Sequence, residues 1–270
     1  MDRRDFVKAG GVLLAGTTCA YGLPLLSAYS LSTPSPEGSS GKRKWGMVID
    51  VRNCSEGCNA CSEACHKEHN ITSRGEKDWD IHLIRRVTVK RKYPAGAAAI
   101  AEPLSVPLLC NHCDDPPCVQ ACPVQATFKR DDGIVLVDHH RCIGCRYCMI
   151  ACPYNARHFN FKENEEWANK NYTRSTHGVP QSCNFCAARI RKWRKRVEED
   201  PEVLKREPEP VPACVEACEK QALASGKKKA LTFGNLNDPD SDVSKLIADN
   251  PARGIREDLG TKPKVFYIGL

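Results

Sequence analysis

The chain has 270 residues, of which 17 are cysteine, 18 glycine and 18 proline, and 41% are hydrophobic. This length suits one compact unit or two small lobes and excludes a large separate catalytic domain. The formal net charge is +7, which we do not interpret as a sign of nucleic-acid binding. So high a cysteine content is typical of a disulfide scaffold or of a metal-binding protein, and the spacing of the cysteines distinguishes the two.

The first 29 residues have the pattern of an export signal. Arg3 and Arg4 form the start of a twin-arginine motif, and an uncharged apolar run follows it. Several glycines and Pro24 make this run a poor membrane-spanning helix, so a cleaved signal is favoured over a membrane anchor. We therefore predict a twin-arginine signal peptide over residues 1–29, a flexible linker over residues 30–44 and a periplasmic location.

Five regular elements are predicted after the linker. A strand over residues 47–51 leads into the first cysteines, and the alternating stretch 87–90 predicts one strand of an inserted ribbon. Another strand over residues 134–137 repeats the first arrangement. A helix is expected over residues 187–205, and a turn-rich C-terminal region ends in a strand over residues 265–268.

Sixteen cysteines remain when Cys19, which lies in the predicted signal peptide, is set aside, and they form four groups of four. Such repetition is the strongest signal in the sequence. The groups, in chain order, are Cys54, Cys58, Cys61 and Cys65; Cys110, Cys113, Cys118 and Cys122; Cys142, Cys145, Cys148 and Cys152; and Cys183, Cys186, Cys214 and Cys218.

The third group has the spacing C-x2-C-x2-C-x3-C-P of bacterial ferredoxins, in which three cysteines bind one [4Fe-4S] cluster and the fourth binds its neighbour. Gly144 inside this loop permits a backbone conformation that a side chain would hinder, and its amide can approach a sulfur. Pro153 ends the loop. The outer groups depart from this spacing, with an extra residue after Cys54 and a long insertion after Cys186.

The same exchange of the fourth cysteine, applied to all groups, predicts four [4Fe-4S] clusters. Their predicted ligands are Cys54, Cys58, Cys61 and Cys218 for the first cluster; Cys110, Cys113, Cys118 and Cys152 for the second; Cys142, Cys145, Cys148 and Cys122 for the third; and Cys183, Cys186, Cys214 and Cys65 for the fourth. The negative charge of such clusters would offset much of the basic excess.

Two other interpretations of the cysteines fit the spacing less well. Four zinc sites would also use sixteen thiolates, but zinc sites generally take two well-separated pairs, whereas three of these groups each lie in one short loop. Disulfides are disfavoured because cysteines so close in sequence rarely reach bridging geometry. Five histidines near the cysteine loops are expected to be solvated or hydrogen-bonded and not ligands: His66, His69, His112, His139 and His140.

The predicted fold class is α+β, as two loop-rich, bacterial-ferredoxin-like lobes of two clusters each, with inserted strands and helices. The predicted segments are 45–105 for the first cysteine group and ribbon, 106–162 for an inner two-cluster domain, 163–226 for the fourth group with its helical insertion, packing with 45–105, and 227–270 for a C-terminal extension.

The motifs C110-N-H-C-D-D-P-P-C-V-Q-A-C-P, C142-I-G-C-R-Y-C-M-I-A-C-P-Y-N-A-R, C183-N-F-C and P212-A-C-V-E-A-C resemble those of a known family. These are the four-cluster ferredoxin subunits of membrane-associated respiratory complexes, which include the electron-transfer subunits of polysulfide, tetrathionate and DMSO reductases. The resemblance covers nearly all of residues 45–270. The leader and the stretch from Arg174 to Val179 are most similar to the DsrO or HmeA branch.

That resemblance implies an electron-transfer subunit with no catalytic residues of its own, working with an NrfD-like membrane subunit that binds quinone and with a multihaem cytochrome c. In the DsrO or HmeA branch the complex oxidises menaquinol and is linked to sulfite reduction. The alternatives are the ferredoxin subunit of a periplasmic molybdopterin reductase and, from another class, a structural zinc protein. No catalytic or phosphate-binding motif favours an enzyme.

Overall fold

The computed structural model describes residues 43–73, 75, 80–89, 104–162, 167, 169–172 and 177–270. The predicted signal peptide and nearly all of the predicted linker lie outside the described residues. Short helices and small sheets alternate with irregular loops, which confirms the α+β class. Within these described ranges, no helix is long and apolar enough to cross a membrane.

The described part of the chain contains ten strands, seven helices and two short 3-10 turns. The strands are β1 (Trp45–Asp50), β2 (Arg85–Val89), β3 (Leu104–Leu108), β4 (Thr127–Lys129), β5 (Val135–Val137), β6 (His158–Phe159), β7 (Pro180–Gln181), β8 (Leu231–Asn235), β9 (Arg253–Gly254) and β10 (Val265–Ile268). The helices are α1 (Ala60–Glu68), α2 (Pro117–Gln120), α3 (Tyr147–Ala151), α4 (Ala187–Glu199), α5 (Val203–Arg206), α6 (Ala213–Ala224) and α7 (Asp242–Asp249), and the 3-10 turns are Val51–Asn53 and Glu257–Leu259.

A four-stranded sheet in the order β8, β1, β10, β9 joins distant parts of the chain. Strand β1 runs antiparallel to β8 and parallel to β10, with Met47 opposite both Phe233 and Val265. Because β1 is a central strand, five of its six residues are buried, and its sequence is a nearly continuous apolar run. Trp45 stacks on Phe233 with ring centroids 5.2 Å apart.

The central strand also delivers the chain to the first cysteine. Asp50 ends β1, and its carboxylate accepts hydrogen bonds from the backbone N–H and the side chain of Arg52 in the following 3-10 turn. The turn leads directly to Cys54. The predicted strands over 47–51 and 265–268 are therefore confirmed, the first of them with a start at Trp45.

Three two-stranded ribbons connect the cysteine groups. Strands β2 and β3 pair antiparallel between the first and second groups, which confirms the predicted inserted ribbon. Strands β4 and β5 form a hairpin between the second and third groups, and β5 confirms the strand predicted over 134–137, one residue shorter. Strands β6 and β7 join the segment after the third group to the segment before the fourth.

The helix predicted over residues 187–205 is wrong at its C-terminal end. Helix α4 stops at Glu199, Asp200 is extended, and a separate short helix begins at Val203. Pro201 explains the break, because proline disfavours helical backbone in the residue before it and lacks the N–H that a continuing helix needs.

Candidate cluster-binding sites

Helices α1 and α6 pack against each other and bring the first cysteine group to the end of the fourth. The outer quartet consists of Cys54, Cys58, Cys61 and Cys218. Its four residues line one cavity together with apolar residues such as Pro107 and Leu231. Burial raises the pKa of the Cys61 thiol to about 11. All four sulfur-bearing residues of the first predicted cluster are therefore brought together.

The deep quartet consists of Cys65, Cys183, Cys186 and Cys214, and each of the four is between 4% and 6% exposed. Burial raises the pKa of Cys65 and Cys214 well above that of a free thiol, and the neighbouring thiols of the quartet raise it further. Three charged side chains, Glu68, Arg189 and Glu216, lie close enough to Cys186 to interact with it electrostatically. Arg189 binds both carboxylate oxygens of Glu68, at 2.7 and 2.9 Å, and reaches Glu216 at 2.9 Å.

The inner quartet consists of Cys110, Cys113, Cys118 and Cys152, and these residues line a second, more enclosed cavity. Three prolines, Tyr154 and Arg157 contribute to its wall. Burial raises the pKa of Cys110 to about 12. A ligand set taken from two separate cysteine groups thus surrounds one space, as the exchanged fourth cysteine predicts.

The shallow quartet consists of Cys122, Cys142, Cys145 and Cys148, and it is the most solvent-accessible of the four. Helix α2 packs against α3, which brings the segment that carries Cys122 towards Cys148. Cys145 is exposed and Cys148 is buried. Burial would raise the pKa of Cys122, but backbone N–H groups of Thr127, Val124 and Ala126 point to its sulfur and lower the pKa below its usual value.

The donor set fits [4Fe-4S] clusters. All sixteen cysteines of the quartets are free thiols in the described part of the chain, and none forms a disulfide. Four sulfurs each accept a backbone N–H at 3.4 Å, and hydrogen bonds of this kind tune iron–sulfur centres. The donors and acceptors are Thr127 to Cys122, Gly144 to Cys142, Ala213 to Cys186 and Ala230 to Cys218.

The geometry does not resemble that of single-ion sites. A tetrahedral zinc ion holds its thiolates about 2.3 Å from one point. Within the described ranges, no three Cys, His, Asp or Glu side chains converge in that way. Cysteines that surround a cavity and do not meet at a point favour a polynuclear centre.

Gly144 has the predicted role in the shallow quartet. Its φ angle is +70°, and its N–H donates to Cys142 Sγ at 3.4 Å. A Cβ atom at this position would lie 2.6 Å from the carbonyl oxygen of Gly178. Only glycine therefore fits this turn without displacing the neighbouring loop.

Arg157 is a site residue to which the sequence assigned no role. Its side chain is 1% exposed, and it donates to Cys118 Sγ at 3.3 Å and to Thr127 Oγ1 at 3.5 Å, while its Nε–H has no partner among the described residues. Burial would lower its pKa, but Cys118, Cys110 and Cys148 hold the pKa above its usual value. The sequence feature that could have identified Arg157 is its position in C-P-Y-N-A-R, five residues after Cys152.

Two aromatic rings connect the inner quartet to the deep quartet. His112 and Phe185 each occupy the third position of a Cys-Asn-x-Cys loop, each has positive φ, and both are fully buried. Their ring centroids lie 3.8 Å apart. His112 Nδ1 accepts the N–H of Val135 at 3.0 Å, and burial keeps its pKa well below the usual value, so the ring is neutral.

The other histidines and the basic helix have mostly structural contacts. His69 is 4% exposed, with Nε2 3.6 Å from Cys186 Sγ and its ring edge against Tyr172. On α4, Arg194 and Lys195 pair with glutamates one turn later. The contact of His69 agrees with the expectation of hydrogen-bonded histidines, whereas Nε2 of His66 and of His112 is buried without a hydrogen-bond partner among the described residues. The ion pairs of Arg194 and Lys195 lie on an exposed face of α4.

Comparisons with known proteins agree with these sites. Residues 102–197 match the family model of a 4Fe-4S dicluster domain. The chain is 41% identical to Hdr-like menaquinol oxidoreductase iron-sulfur subunit 1 of Archaeoglobus fulgidus, over all of this chain and 98% of that protein.

Two further relatives come from bacteria. The chain is 35% identical to a tetrathionate reductase subunit of Salmonella typhimurium, over 99% of this chain and 88% of the relative. It is 37% identical to the iron-sulfur cluster-binding subunit of menaquinone reductase of Nitratidesulfovibrio vulgaris, over 84% of this chain and 89% of the relative. The likeness therefore extends well beyond the cysteine motifs themselves.

Proposed function

The chain belongs to the NrfC/PsrB/DmsB-like family of iron–sulfur electron-transfer subunits, and from that premise we propose that it relays single electrons through four [4Fe-4S] clusters between a membrane quinone-reactive subunit and a redox partner. It acts as a subunit of an oxidoreductase complex and carries no substrate chemistry itself. The chemistry that each cluster supplies when bound is the reversible uptake of one electron.

The proposed ligands are the four quartets, and their arrangement supports a two-cluster inner lobe and a two-cluster outer lobe. The inner lobe comprises the inner and shallow quartets. Cys152 of the third cysteine group belongs to the inner quartet, and Cys122 of the second group belongs to the shallow quartet. The outer lobe comprises the outer and deep quartets. Cys218 of the fourth cysteine group belongs to the outer quartet, and Cys65 of the first group belongs to the deep quartet. Cavities lined by complete quartets in two of the four cases support this assignment.

The observation that carries the function is the order in which the quartets adjoin one another. Cys148 of the shallow quartet lies near Cys118 of the inner quartet, close enough for their charges to interact. Cys110 of the inner quartet interacts in the same way with Cys183 of the deep quartet. The deep and outer quartets interact through Cys214 and Cys61. The quartets therefore adjoin one another in the order shallow, inner, deep and outer, as a relay requires.

Two features of the protein support transfer between neighbouring quartets. The rings of His112 and Phe185, from the inner and deep cysteine loops, are in contact and fully buried. Backbone N–H groups aimed at cysteine sulfurs compensate the negative charge of a reduced site without having to reorient. A fixed environment of this kind keeps small the reorganisation that accompanies a one-electron change.

The shallow quartet stands at one end of this order, and we place electron exchange with a partner protein there. Among the sixteen quartet cysteines, Cys145 alone is exposed. Three large apolar side chains beside it are exposed as well, by 66% at Ile143, 59% at Tyr147 and 83% at Ile150. An apolar patch around an accessible redox site suits docking of another protein.

The relatives' names support the choice of partners. Menaquinol oxidoreductase and menaquinone reductase subunits among them favour an NrfD-like membrane subunit that binds quinone, and a multihaem cytochrome c is proposed as the further partner. The twin-arginine pattern of residues 1–29 supports a periplasmic location. Attachment to the membrane through partners and a link to sulfur respiration are proposed from the resemblance to the DsrO or HmeA branch. The tetrathionate reductase relative supports the second candidate, a subunit wired to a molybdopterin reductase.

The first experiment measures iron, acid-labile sulfide and zinc in anaerobically purified protein. About sixteen irons and sixteen sulfides per chain, with brown absorption that bleaches on reduction, are expected for four cubanes. About four zincs without sulfide would overturn the proposed function.

The docking face is tested with Ile150→Lys and the control Leu204→Lys, which alters another exposed apolar residue on α5. Ile150→Lys is expected to keep all four clusters and to slow their reduction by quinol in membranes that contain the complex, at least tenfold. Equal rates in both variants would exclude this face as the docking surface.

A further inference from the structure

The guanidinium of Arg157 lies among sulfurs from both quartets of the inner lobe. It donates to Cys118 of the inner quartet and interacts with Cys148 of the shallow quartet. We propose that Arg157 is a fixed positive charge shared by the two inner-lobe clusters, which raises the reduction potential of both and stabilises the state in which both are reduced. The inference rests on the proposed function, because it requires clusters at these quartets.

A buried cation requires compensation, and at Arg157 the nearby groups of suitable charge among the described residues are thiolates. Moving a cation out of water is strongly unfavourable unless it is paired and hydrogen-bonded. The hydrogen-bond partners of Arg157 are the Thr127 hydroxyl and the Cys118 sulfur, and no carboxylate accepts from it in the described part of the chain. Cluster-bound thiolates supply the missing negative charge.

The hydrogen bonds of Arg157 point to the same conclusion. Its buried Nε–H has no acceptor within the described ranges, although buried donors are nearly always satisfied. Arg157 also lines the cavity of the inner quartet. A sulfur atom of a cluster in that cavity is an acceptor of the kind that this N–H lacks.

The expected consequence follows from the charge of each oxidation state. A cluster with four thiolates becomes more negative by one unit on reduction, so a nearby cation stabilises the reduced state more than the oxidised state and raises the potential. A fixed cation between two clusters stabilises the added electron on each of them, and it leaves the repulsion between the two electrons unchanged. The state in which both clusters are reduced is therefore stabilised by the sum of the two interactions.

The outer lobe offers a contrast on the same molecule. Arg189 lies close to Cys186 of the deep quartet, but it is paired with two carboxylates, from Glu68 and Glu216. Its charge is therefore neutralised locally. Arg86 lies close to Cys54 and Cys61 of the outer quartet, but its guanidinium donates to the backbone carbonyls of Ser55 and Cys58. Among the described residues, Arg157 alone is an arginine that donates to a cysteine sulfur.

The test is a redox titration, monitored by electron paramagnetic resonance, of the full chain loaded with clusters. Arg157→Met and Arg157→Gln remove the charge, Arg157→Lys keeps it, and Arg130→Met removes an arginine of the same lobe that pairs with Asp132 at 2.6 Å. The signals are assigned beforehand with one cysteine variant in each of the shallow, inner and outer quartets, and the remaining signal is assigned to the deep quartet.

Both neutral variants are expected to retain sixteen irons, to lower the two inner-lobe potentials and to leave the outer-lobe potentials nearly unchanged, whereas Arg157→Lys and Arg130→Met titrate like the wild type. Unchanged potentials in fully loaded neutral variants, or equal shifts in all four clusters, would overturn the inference. If the neutral variants lose iron, Arg157→Lys decides, because lowered inner-lobe potentials despite the retained charge would exclude a charge effect. Wild-type protein without iron would instead overturn the proposed function.

Discussion

The deep and shallow quartets use the same chemistry in opposite environments. The four cysteines of the deep quartet are each at least 94% buried, and helices α1 and α6, which carry Cys65 and Cys214, pack against each other. In the shallow quartet Cys145 is exposed, Cys122 and Cys142 are half-buried, and only Cys148 is fully buried. One site is thus built into the core, and the other is built into the surface.

This difference separates two tasks that the motif alone does not distinguish. Loss of a cluster at the deep site would leave four buried thiols without their bound partner, so we expect this cluster to stabilise the packing of the helices around it. Loss of the shallow site would leave an open loop at the surface. Burial therefore makes the deep site structural and insulated, while exposure makes the shallow site accessible to a partner.

The largest expected effect comes from removing one ligand in each environment. Cys214→Ala is expected to abolish soluble, folded protein, because a fully buried cluster loses a ligand and core residues lose their support. Cys145→Ala is expected to remain folded with about twelve of sixteen irons. Soluble yield, iron content and circular dichroism measure both. Similar yields and iron contents for the two variants would contradict the proposed difference between the deep and shallow sites.

Gly144→Ala tests how tightly the shallow loop is held. The substitution combines an unfavourable positive φ with a Cβ atom 2.6 Å from the Gly178 oxygen. We expect a loss of about 2–4 kcal/mol of stability and a partial loss of iron from the shallow quartet.

Gly178→Ala is the matched control, because Gly178 also has positive φ but a Cβ atom there meets nothing within 4 Å. It is expected to cost about 1 kcal/mol and no iron. Chemical unfolding and iron analysis separate the two variants. If they lost equal stability, backbone strain alone would account for the glycine at position 144.

Arg189→Met tests the cover of the deep quartet. It removes the ion pairs with Glu68 and Glu216, which are partly exposed, so the expected loss of stability is about 1–2 kcal/mol. The more informative readout is the rate at which oxygen bleaches the deep cluster, which should rise. Lys195→Met, which breaks only an exposed pair with Glu199, serves as the control and should change neither quantity.

The last effect concerns pH and the ribbon in which β6 and β7 pair His158 with Gln181. Burial, Arg85 and His82 lower the pKa of His158 to about 4, whereas the unfolded chain has a pKa of about 6.5. The unfolded state therefore binds a proton first as the pH falls. Stability is fully present above about pH 6.5 and declines towards pH 4, by up to about 1.4 kcal/mol per pH unit.

Thermal unfolding of the loaded protein at pH 7.5 and 5.5 measures this slope. His158→Phe should flatten it without removing it, since burial also lowers the pKa of His69 to about 4. An unchanged slope in His158→Phe would show that His158 is not responsible.

Local spacing predicted much of this molecule, because ligands within a short loop must converge whatever the rest of the chain does. The cysteine groups, the role of Gly144 and the strands leading to Cys54 and Cys142 are all features of neighbouring residues. The buried charge of Arg157 and the ring contact between His112 and Phe185 were not predicted. Both depend on packing between segments that are far apart in sequence, and no single segment carries a signal for them.

The central sheet has the same non-local character. Nothing in the apolar run of β1 indicates that its neighbours are β8 and β10, more than 180 residues later. The break in helix α4 is a different case, since Pro201 was visible in the sequence and predicts the end of the helix.

The pairing of β1 with β8 and β10 also sets an order of events during biogenesis. All sixteen quartet cysteines lie between β1 and β8 along the chain. A ribosome must therefore release every one of them before β1 can find either neighbour, and closing so long a loop is slow. When this sheet forms in a nascent chain, all sixteen quartet cysteines have already been synthesised. Completion of the sheet therefore marks the point at which all four sites can be filled.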